Sequence, residues 1–176
     1  PGVRQITIGD AEMMGELFTS FGLAMLTGVL CIYIVLVLLF KDFLHPATIL
    51  VALPLSLGGA FVGLLIAQKS FSMPSLIGLI MLMGIATKNS ILLVDLTNQR
   101  RAEGLRVDAA LRNACPIRMR PVLMTSMTVI LALAPAAAGL GAGNETNQPL
   151  AIAVIGGMVS STLLTLIFVP VLYSYV

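Results

Sequence analysis

Long apolar runs alternate along the chain with short polar connections. Five of these runs are each long enough to cross a bilayer as a helix, which takes about 20 residues. They cover residues 17–40, 47–67, 74–96, 121–140 and 150–173. This pattern predicts an all-α membrane protein whose transmembrane domain, residues 17–176, is a bundle of five helices.

Two polar segments flank or interrupt these runs. Residues 1–16 are predicted to be the end of a periplasmic domain and the approach to the first helix, with a short strand that ends at Gly9. Residues 97–120 are predicted to be a loop on the cytoplasmic side. Within this loop, apolar positions at near-helical spacing between residues 105 and 112 predict a short helix lying along the membrane surface.

Four prolines are informative about helix starts and bends. Pro74 and Pro121 are predicted in the first turn of their helices, where the missing N–H costs little. Pro54 and Pro135 fall inside apolar runs, where a proline removes a helical hydrogen bond. We therefore expect kinks in the second and fourth helices.

Small residues cluster in two of the runs. Gly59 and Gly63 form a Gly-x-x-x-Gly pair, and Gly156, Gly157 and Ser160 lie on the fifth run. Small residues allow helix backbones to approach closely in lipid, where the hydrophobic effect does not drive helices together. This pattern predicts tight helix packing and carries no information about chemistry.

Composition narrows the class of protein. The chain is 58% hydrophobic and 10% charged, whereas soluble domains carry about 25% charged residues. Cys31 and Cys115 are predicted to be free thiols because neither location favours a disulfide. The sequence offers no metal-ligand cluster, no phosphate-binding loop and no Ser-His-Asp set, so we expect no metal, no bound cofactor and no enzyme activity.

Positive charge predicts the orientation in the membrane. Of the basic residues, Arg4 and Lys69 alone lie in segments on the opposite side from the others. Basic loops remain in the cytoplasm, so the N-terminus is expected to be periplasmic and the C-terminus cytoplasmic. The residues that set this bias are Lys41, Arg100, Arg101, Arg106, Arg112, Arg118 and Arg120.

Lys88 is the strongest candidate for a functional residue. It lies well inside the third apolar run, where a lysine costs roughly 2.5–3.5 kcal/mol on insertion scales. Leu92 and Asp95 follow at i+4 and i+7 on the same helical face, and Asn89 is the neighbouring position. A lysine whose amine reaches the membrane interface is the simpler alternative for Lys88.

The fourth run supplies two more candidates. Arg118 and Thr125 are seven residues apart and share one face. Each candidate has a simpler explanation: Thr125 could bond its own helix backbone, Arg118 could anchor the helix at the interface, and Asp95 could balance neighbouring arginines. With Lys88 and Asn89, these side chains form a possible proton relay along one seam.

The relay lacks an acid. Asp95 lies about 10 Å along the helix axis from Lys88, at 1.5 Å per residue, which is too far for pairing. No other acid of the chain is expected at that depth. A buried lysine needs a counter-charge whose protonation would release the pair, so this acid is expected from a segment outside the present sequence.

Several motifs resemble the resistance-nodulation-division (RND) efflux pumps. The segment from Gly84 to Asp95, with its Lys88-Asn89 pair, resembles their tenth transmembrane helix, and the segment from Arg118 to Ser126 resembles the start of the eleventh. The similarity covers essentially the whole chain in order. Further matches to the ninth helix, the last loop and the twelfth helix lie at 54–60, 139–143, 156–158 and 169–171.

This resemblance implies a fold and a set of roles. The family has twelve transmembrane helices in two pseudo-repeats with two large periplasmic insertions, and this chain resembles helices eight to twelve. In the family relay, a lysine matched by Lys88 pairs with aspartates on the fourth helix, and Thr125 and Arg118 match its threonine and arginine. The Lys88-Asn89 pair resembles the hydrophobe/amphiphile (multidrug) branch more than the heavy-metal branch, which tends to lack that lysine.

The resemblance also implies a function and partners. The expected function is drug/proton antiport in the bacterial inner membrane, driven by the proton gradient. Expected partners are the missing N-terminal half, two further copies in a homotrimer, a periplasmic adaptor, an outer-membrane channel and membrane lipids, with no nucleic acid. The alternatives are an RND-type lipid or protein exporter, and a non-transporting half-size membrane scaffold.

Overall fold

A computed structural model of the chain describes residues 9–175, apart from the side chains at 10, 169, 170 and 172–174. The described part forms five helices, each long and apolar enough to cross a membrane. The predicted all-α bundle of five transmembrane helices is confirmed, whereas the predicted strand before Gly9 lies outside the described residues. The helices are α1 (Asp10–Phe40), α2 (Leu44–Ile66), α3 (Met73–Ala102), α4 (Val107–Ala137) and α5 (Gln148–Tyr175).

The helices α3 and α4 extend far into the segment predicted to be a loop. Only residues 103–106 separate them, and Gly104 adopts a left-handed conformation (φ 89°) at this turn. The predicted surface helix is therefore wrong, because residues 107–112 form the first turns of α4 itself. A 31-residue helix is about 46 Å long at 1.5 Å per residue. It exceeds the ~30 Å hydrocarbon core, so its polar end can project beyond the apolar layer.

The prolines correct one prediction. Pro74 lies in the first turn of α3, as predicted, and Pro54 lies inside α2. Pro121, however, lies in the interior of α4 together with Pro116 and Pro135, and does not start the helix. Each interior proline lacks the N–H that would bond the carbonyl four residues earlier, so the hydrogen-bond ladder of α4 is interrupted at three places.

The helix α5 is central to the bundle and packs against α2, α3 and α4, with α2 as its most extensive neighbour. At the α2–α5 crossing, a Cβ atom added to Gly63 would lie 3.1 Å from the Cα atom of Gly156. A Cβ added to Gly59 would overlap the side chain of Ser160. The predicted close packing of small residues is confirmed at this crossing.

The apolar core lies between α2, α3 and α5. Leu82 of α3 and Val154 and Met158 of α5 are fully buried there. The helix α1 contacts α2 and, to a smaller extent, α3, and most of its apolar side chains are exposed. Exposed apolar surface on this scale marks contact with lipid or with other helices.

Candidate functional site

Lys88 lies on the side of α3 that faces α1. Its side chain is exposed in the described bundle and lines a groove of about 410 Å³. Cys31 and Val35 of α1 and Leu92 of α3 form part of its otherwise apolar wall. Leu92 shares this groove with Lys88, as their spacing of four residues predicted.

The Lys88 ammonium has no acid beside it in the part of the chain that the structure describes. Charged groups found close together there include Arg100 with Glu103, at 3.0 Å, and none of these contacts involves Lys88. A lysine in apolar surroundings at membrane depth is costly without a counter-charge. The groove is therefore a place where a carboxylate from outside these helices would be stabilised.

Asn89 points into the bundle and not into the groove. Its residue is 3% exposed, and its buried Nδ2 has no hydrogen-bond partner within residues 9–175. Successive residues of a helix are rotated by about 100°, which places Asn89 and Lys88 on different sides of α3. The single seam predicted from the sequence is thus divided into an outer groove and an inner polar position.

Asp95 lies neither in the outer groove with Lys88 nor at the inner position of Asn89. It is partly buried and accepts a hydrogen bond of 3.0 Å from Nε2 of Gln99, one turn further along α3. It is absent from the lining of the groove that contains Lys88. This contact is a local one on the helix surface.

The two candidates on α4 are also separate from Lys88. The Thr125 hydroxyl donates a 2.9 Å hydrogen bond to the carbonyl of Pro121, the local bond stated above as the simpler alternative. The Nε of Arg118 is buried without a hydrogen-bond partner among the described residues. In that part of the chain, no hydrogen bond or ion pair joins any two of the five candidate residues.

A buried pair of hydroxyls was missed by the sequence analysis. Ser126 of α4 and Thr162 of α5 lie 2.6 Å apart, oxygen to oxygen, in the bundle interior. They also contact the carbonyls of Val122 and Met158, at 2.9 Å and 2.7 Å. Each hydroxyl has one proton, so two protons serve three contacts. Hydroxyls recur along α5, but the sequence did not indicate which one faces Ser126.

Asn89, Ser126 and Thr162 are all buried in the bundle. Each lies four residues along its helix from an apolar side chain that belongs to one buried cluster or packs against it, namely Ile85, Ile130 and Met158. The interior of the bundle therefore contains polar side chains as well as apolar ones.

Comparison with known proteins is consistent with this architecture. A family model described as the AcrB/AcrD/AcrF family matches residues 2–176. The chain belongs to this family of RND transporters. The resemblance drawn from the Lys88-Asn89 and Arg118–Ser126 motifs is confirmed, and the chain is a multi-pass membrane protein.

Named relatives have different roles. The chain is 42% identical over 168 residues to the swarming motility protein SwrC of Bacillus subtilis (strain 168). The aligned region covers 95% of this chain and 16% of that protein. It is 39% identical over 174 residues to the multidrug resistance protein MdtC of Erwinia tasmaniensis, and this aligned region covers 98% of this chain and 17% of that protein. The chain thus spans about a sixth of the length of these relatives.

The fold also matches solved structures. Two crystal forms of a heavy metal efflux pump superpose on this chain with TM-scores of 0.81 and 0.78, at 32% and 33% sequence identity. The matches cover 94% and 88% of this chain, and 16% and 15% of those proteins. The helix arrangement described above is therefore similar to that of part of this heavy metal efflux pump.

Proposed function

We propose that this chain forms part of the membrane domain of a proton-driven inner-membrane efflux transporter that exports hydrophobic or amphiphilic compounds. One observation carries the proposal: Lys88 lies in an apolar groove at the edge of the bundle and has no acid partner among the described residues. Membership of the RND family and the multidrug relatives support the same function.

The groove suggests how protons drive the transporter. A carboxylate on a helix that completes the groove beside α1 and α3 would pair with the Lys88 ammonium. Protonation neutralises that carboxylate and removes the attraction, so the helices no longer have the same preferred packing. The energy comes from the proton gradient, and no bound cofactor is required.

The remaining candidates have supporting roles in this proposal. The interior amide of Asn89 has an unused donor, and Thr125 can turn its hydroxyl from Pro121 toward a proton path. Arg118 and Asp95, nearer the basic end of the bundle, would shape the cytoplasmic exit. These roles require helices beyond α1–α5, which in this family include the fourth-helix aspartates of the N-terminal half.

The proposal includes an assembly. The intact transporter would be a homotrimer with a periplasmic adaptor and an outer-membrane channel. The N-terminal end of α1 would face the periplasm and the α3–α4 turn the cytoplasm, because basic residues concentrate at that turn.

Replacement of Lys88 tests the proposal. In the full natural protein, we expect Lys88→Ala to abolish efflux of a fluorescent cationic dye while leaving the amount of protein in the membrane unchanged. Lys69→Ala, at an exposed position in the turn after α2, is the matched control and should leave efflux unchanged. Normal efflux from a well-expressed Lys88→Ala protein would contradict the proposed role.

A second candidate is export of another cargo, which the 42% identity to a swarming motility protein favours. Deletion of the gene distinguishes the two. Increased sensitivity to hydrophobic drugs is expected for a multidrug transporter, whereas unchanged drug sensitivity with a loss of swarming would support the other cargo. A membrane scaffold, in contrast, would tolerate Lys88→Ala in every transport assay.

A further inference from the structure

A polar cavity lies where the α1–α2 turn meets the end of α3. Its volume is about 500 Å³, within the usual range of 300–1,000 Å³ for sites that bind small molecules. It is separate from the groove that contains Lys88. Its lining consists of Phe40, Asp42, Leu44, His45, Asn98 and Arg101.

The turn is shaped by Lys41, which ends α1 in the left-handed conformation (φ 53°) and donates its N–H to the carbonyl of Val37 at 2.9 Å. This sharp reversal places Oδ2 of Asp42 3.8 Å from Nδ1 of His45. The His45 side chain is only 10% exposed and lies beside the ring of Phe40, with 6.4 Å between the ring centroids. The buried imidazole therefore lies beside the acidic side of the cavity.

The cavity presents charges of both signs. Asp42, whose side chain is 65% exposed, supplies a carboxylate from the turn, and Arg101 supplies a guanidinium from the last turn of α3. A guanidinium has five N–H donors. Arg101 can therefore bind an anion and keep its contacts within the fold. A ligand that matches both groups carries a cation and an anion a few bonds apart.

Apolar side chains adjoin this polar cavity. Phe43 and Leu44 are 71% and 64% exposed. Phe43 lies between the apolar spans of α1 and α2, and Leu44 begins the second span, so both lie near the level where hydrocarbon gives way to headgroups. The expected occupant therefore has acyl chains as well as a zwitterionic head.

We propose that this cavity binds a phospholipid whose headgroup carries a primary amine, as in phosphatidylethanolamine. The ammonium donates hydrogen bonds to the Asp42 carboxylate, the phosphate accepts them from Arg101, and the acyl chains lie along Phe43 and Leu44. Phosphatidylcholine has a quaternary ammonium without N–H donors, and phosphatidylglycerol offers no cation to Asp42. The site therefore selects ethanolamine lipids over both.

Native mass spectrometry of the full natural protein, stripped of lipid and titrated with palmitoyl-oleoyl-phosphatidylethanolamine, tests this site. We expect Asp42→Asn and Arg101→Gln each to weaken binding about tenfold, as the loss of a charge-assisted hydrogen bond implies. Matched controls are Glu103→Gln and Arg100→Gln, which remove the same charges from a 3.0 Å pair outside the cavity lining. The controls should bind as the wild type does, and Asp42→Glu, which keeps the carboxylate, should retain most binding.

The lipid comparison gives independent outcomes. We expect the wild type to bind the choline and glycerol lipids about tenfold more weakly, and soluble phosphoethanolamine not to displace the bound lipid. Equal binding of the three lipids, or full binding by Asp42→Asn, would overturn the proposal. If the control variants lost as much lipid binding as Asp42→Asn and Arg101→Gln, binding would reflect general attraction between charges and the proposed site would be refuted. Lys88→Ala should leave lipid binding unchanged, which separates this site from the proposed transport function.

Discussion

At the scale of single residues, neighbouring polar side chains of this chain have different surroundings. Lys88 faces the α1–α3 groove, whereas Asn89 is buried inside the bundle. Thr125 bonds its own helix, whereas the adjacent Ser126 contacts Thr162 on α5. A rotation of about 100° per residue is enough to move a side chain from one helix interface to another, so chemical type alone does not predict the partner.

The Ser126–Thr162 contact predicts a measurable coupling between α4 and α5. In a double-mutant cycle of Ser126→Ala and Thr162→Val, we expect a coupling free energy of about 0.6–1.7 kcal/mol, from the average to the maximum for interhelical hydrogen bonds in a membrane protein. The measurement is unfolding of the full natural protein in mixed detergent. Ser126→Ala combined with Thr128→Val is the control, because Thr128 bonds only the carbonyl of Met124 on its own helix in the described structure. Additive effects in both cycles would contradict a contribution from the buried pair.

At the scale of helices, α2 and α5 approach closely through glycine, whereas α1 is weakly packed. Gly63 and Gly156 bring the two backbones within van der Waals contact. The helix α1, in contrast, presents apolar side chains such as Leu23 and Leu26 outward. Backbone atoms in contact cannot move aside as flexible side chains can. We therefore expect α2 and α5 to keep the same relative position and to move together.

Two glycines on α2 provide a test of this unit. A Cβ at Gly63 would lie 3.1 Å from the Gly156 Cα and 3.4 Å from the Ile152 carbonyl oxygen, whereas a Cβ at Gly58 meets nothing within 4 Å. We expect Gly63→Ala to destabilise the full natural protein by about 1–3 kcal/mol through overpacking. Gly58→Ala should be neutral or stabilise it by up to about 1 kcal/mol. Similar unfolding free energies for the two variants would show that the crossing is looser than described.

At the scale of the whole molecule, up-and-down packing places two sets of turns at opposite ends of the bundle. The α3–α4 turn lies at the end with Lys41 and the arginines, and the α4–α5 connection lies at the other. The basic end is expected to be cytoplasmic. Both connections contain an exposed glutamate, Glu103 and Glu145, that can be replaced without disturbing the core.

Cysteine labelling tests this orientation. After replacement of every native cysteine of the full natural protein by alanine, Cys31 and Cys115 included, we expect Glu145→Cys to react with a membrane-impermeant maleimide added to spheroplasts. Glu103→Cys should react only after the membrane is permeabilised. The reverse pattern would show that the basic end faces the periplasm and would refute the proposed orientation.

The sequence alone determined the five helices and the family, because hydropathy, length and short motifs are local properties. It misjudged the ends of α3 and α4 for a physical reason. Polar composition indicates whether a segment meets water or lipid, but it does not show where a helix ends. A helix that leaves the bilayer continues until a residue such as Gly104 ends it. The same reasoning misplaced Pro121 in a first turn, although the helix begins at Val107.

Only the tertiary structure decided which polar groups meet. The outer position of Lys88, the inner position of Asn89 and the Ser126–Thr162 contact depend on how each helix is rotated against its neighbours. The cavity between the α1–α2 turn and the end of α3 joins residues from distant parts of the chain. The physical reason is that packing of small and large side chains sets helix rotation and crossing in lipid, and these contacts are not encoded in any single apolar run.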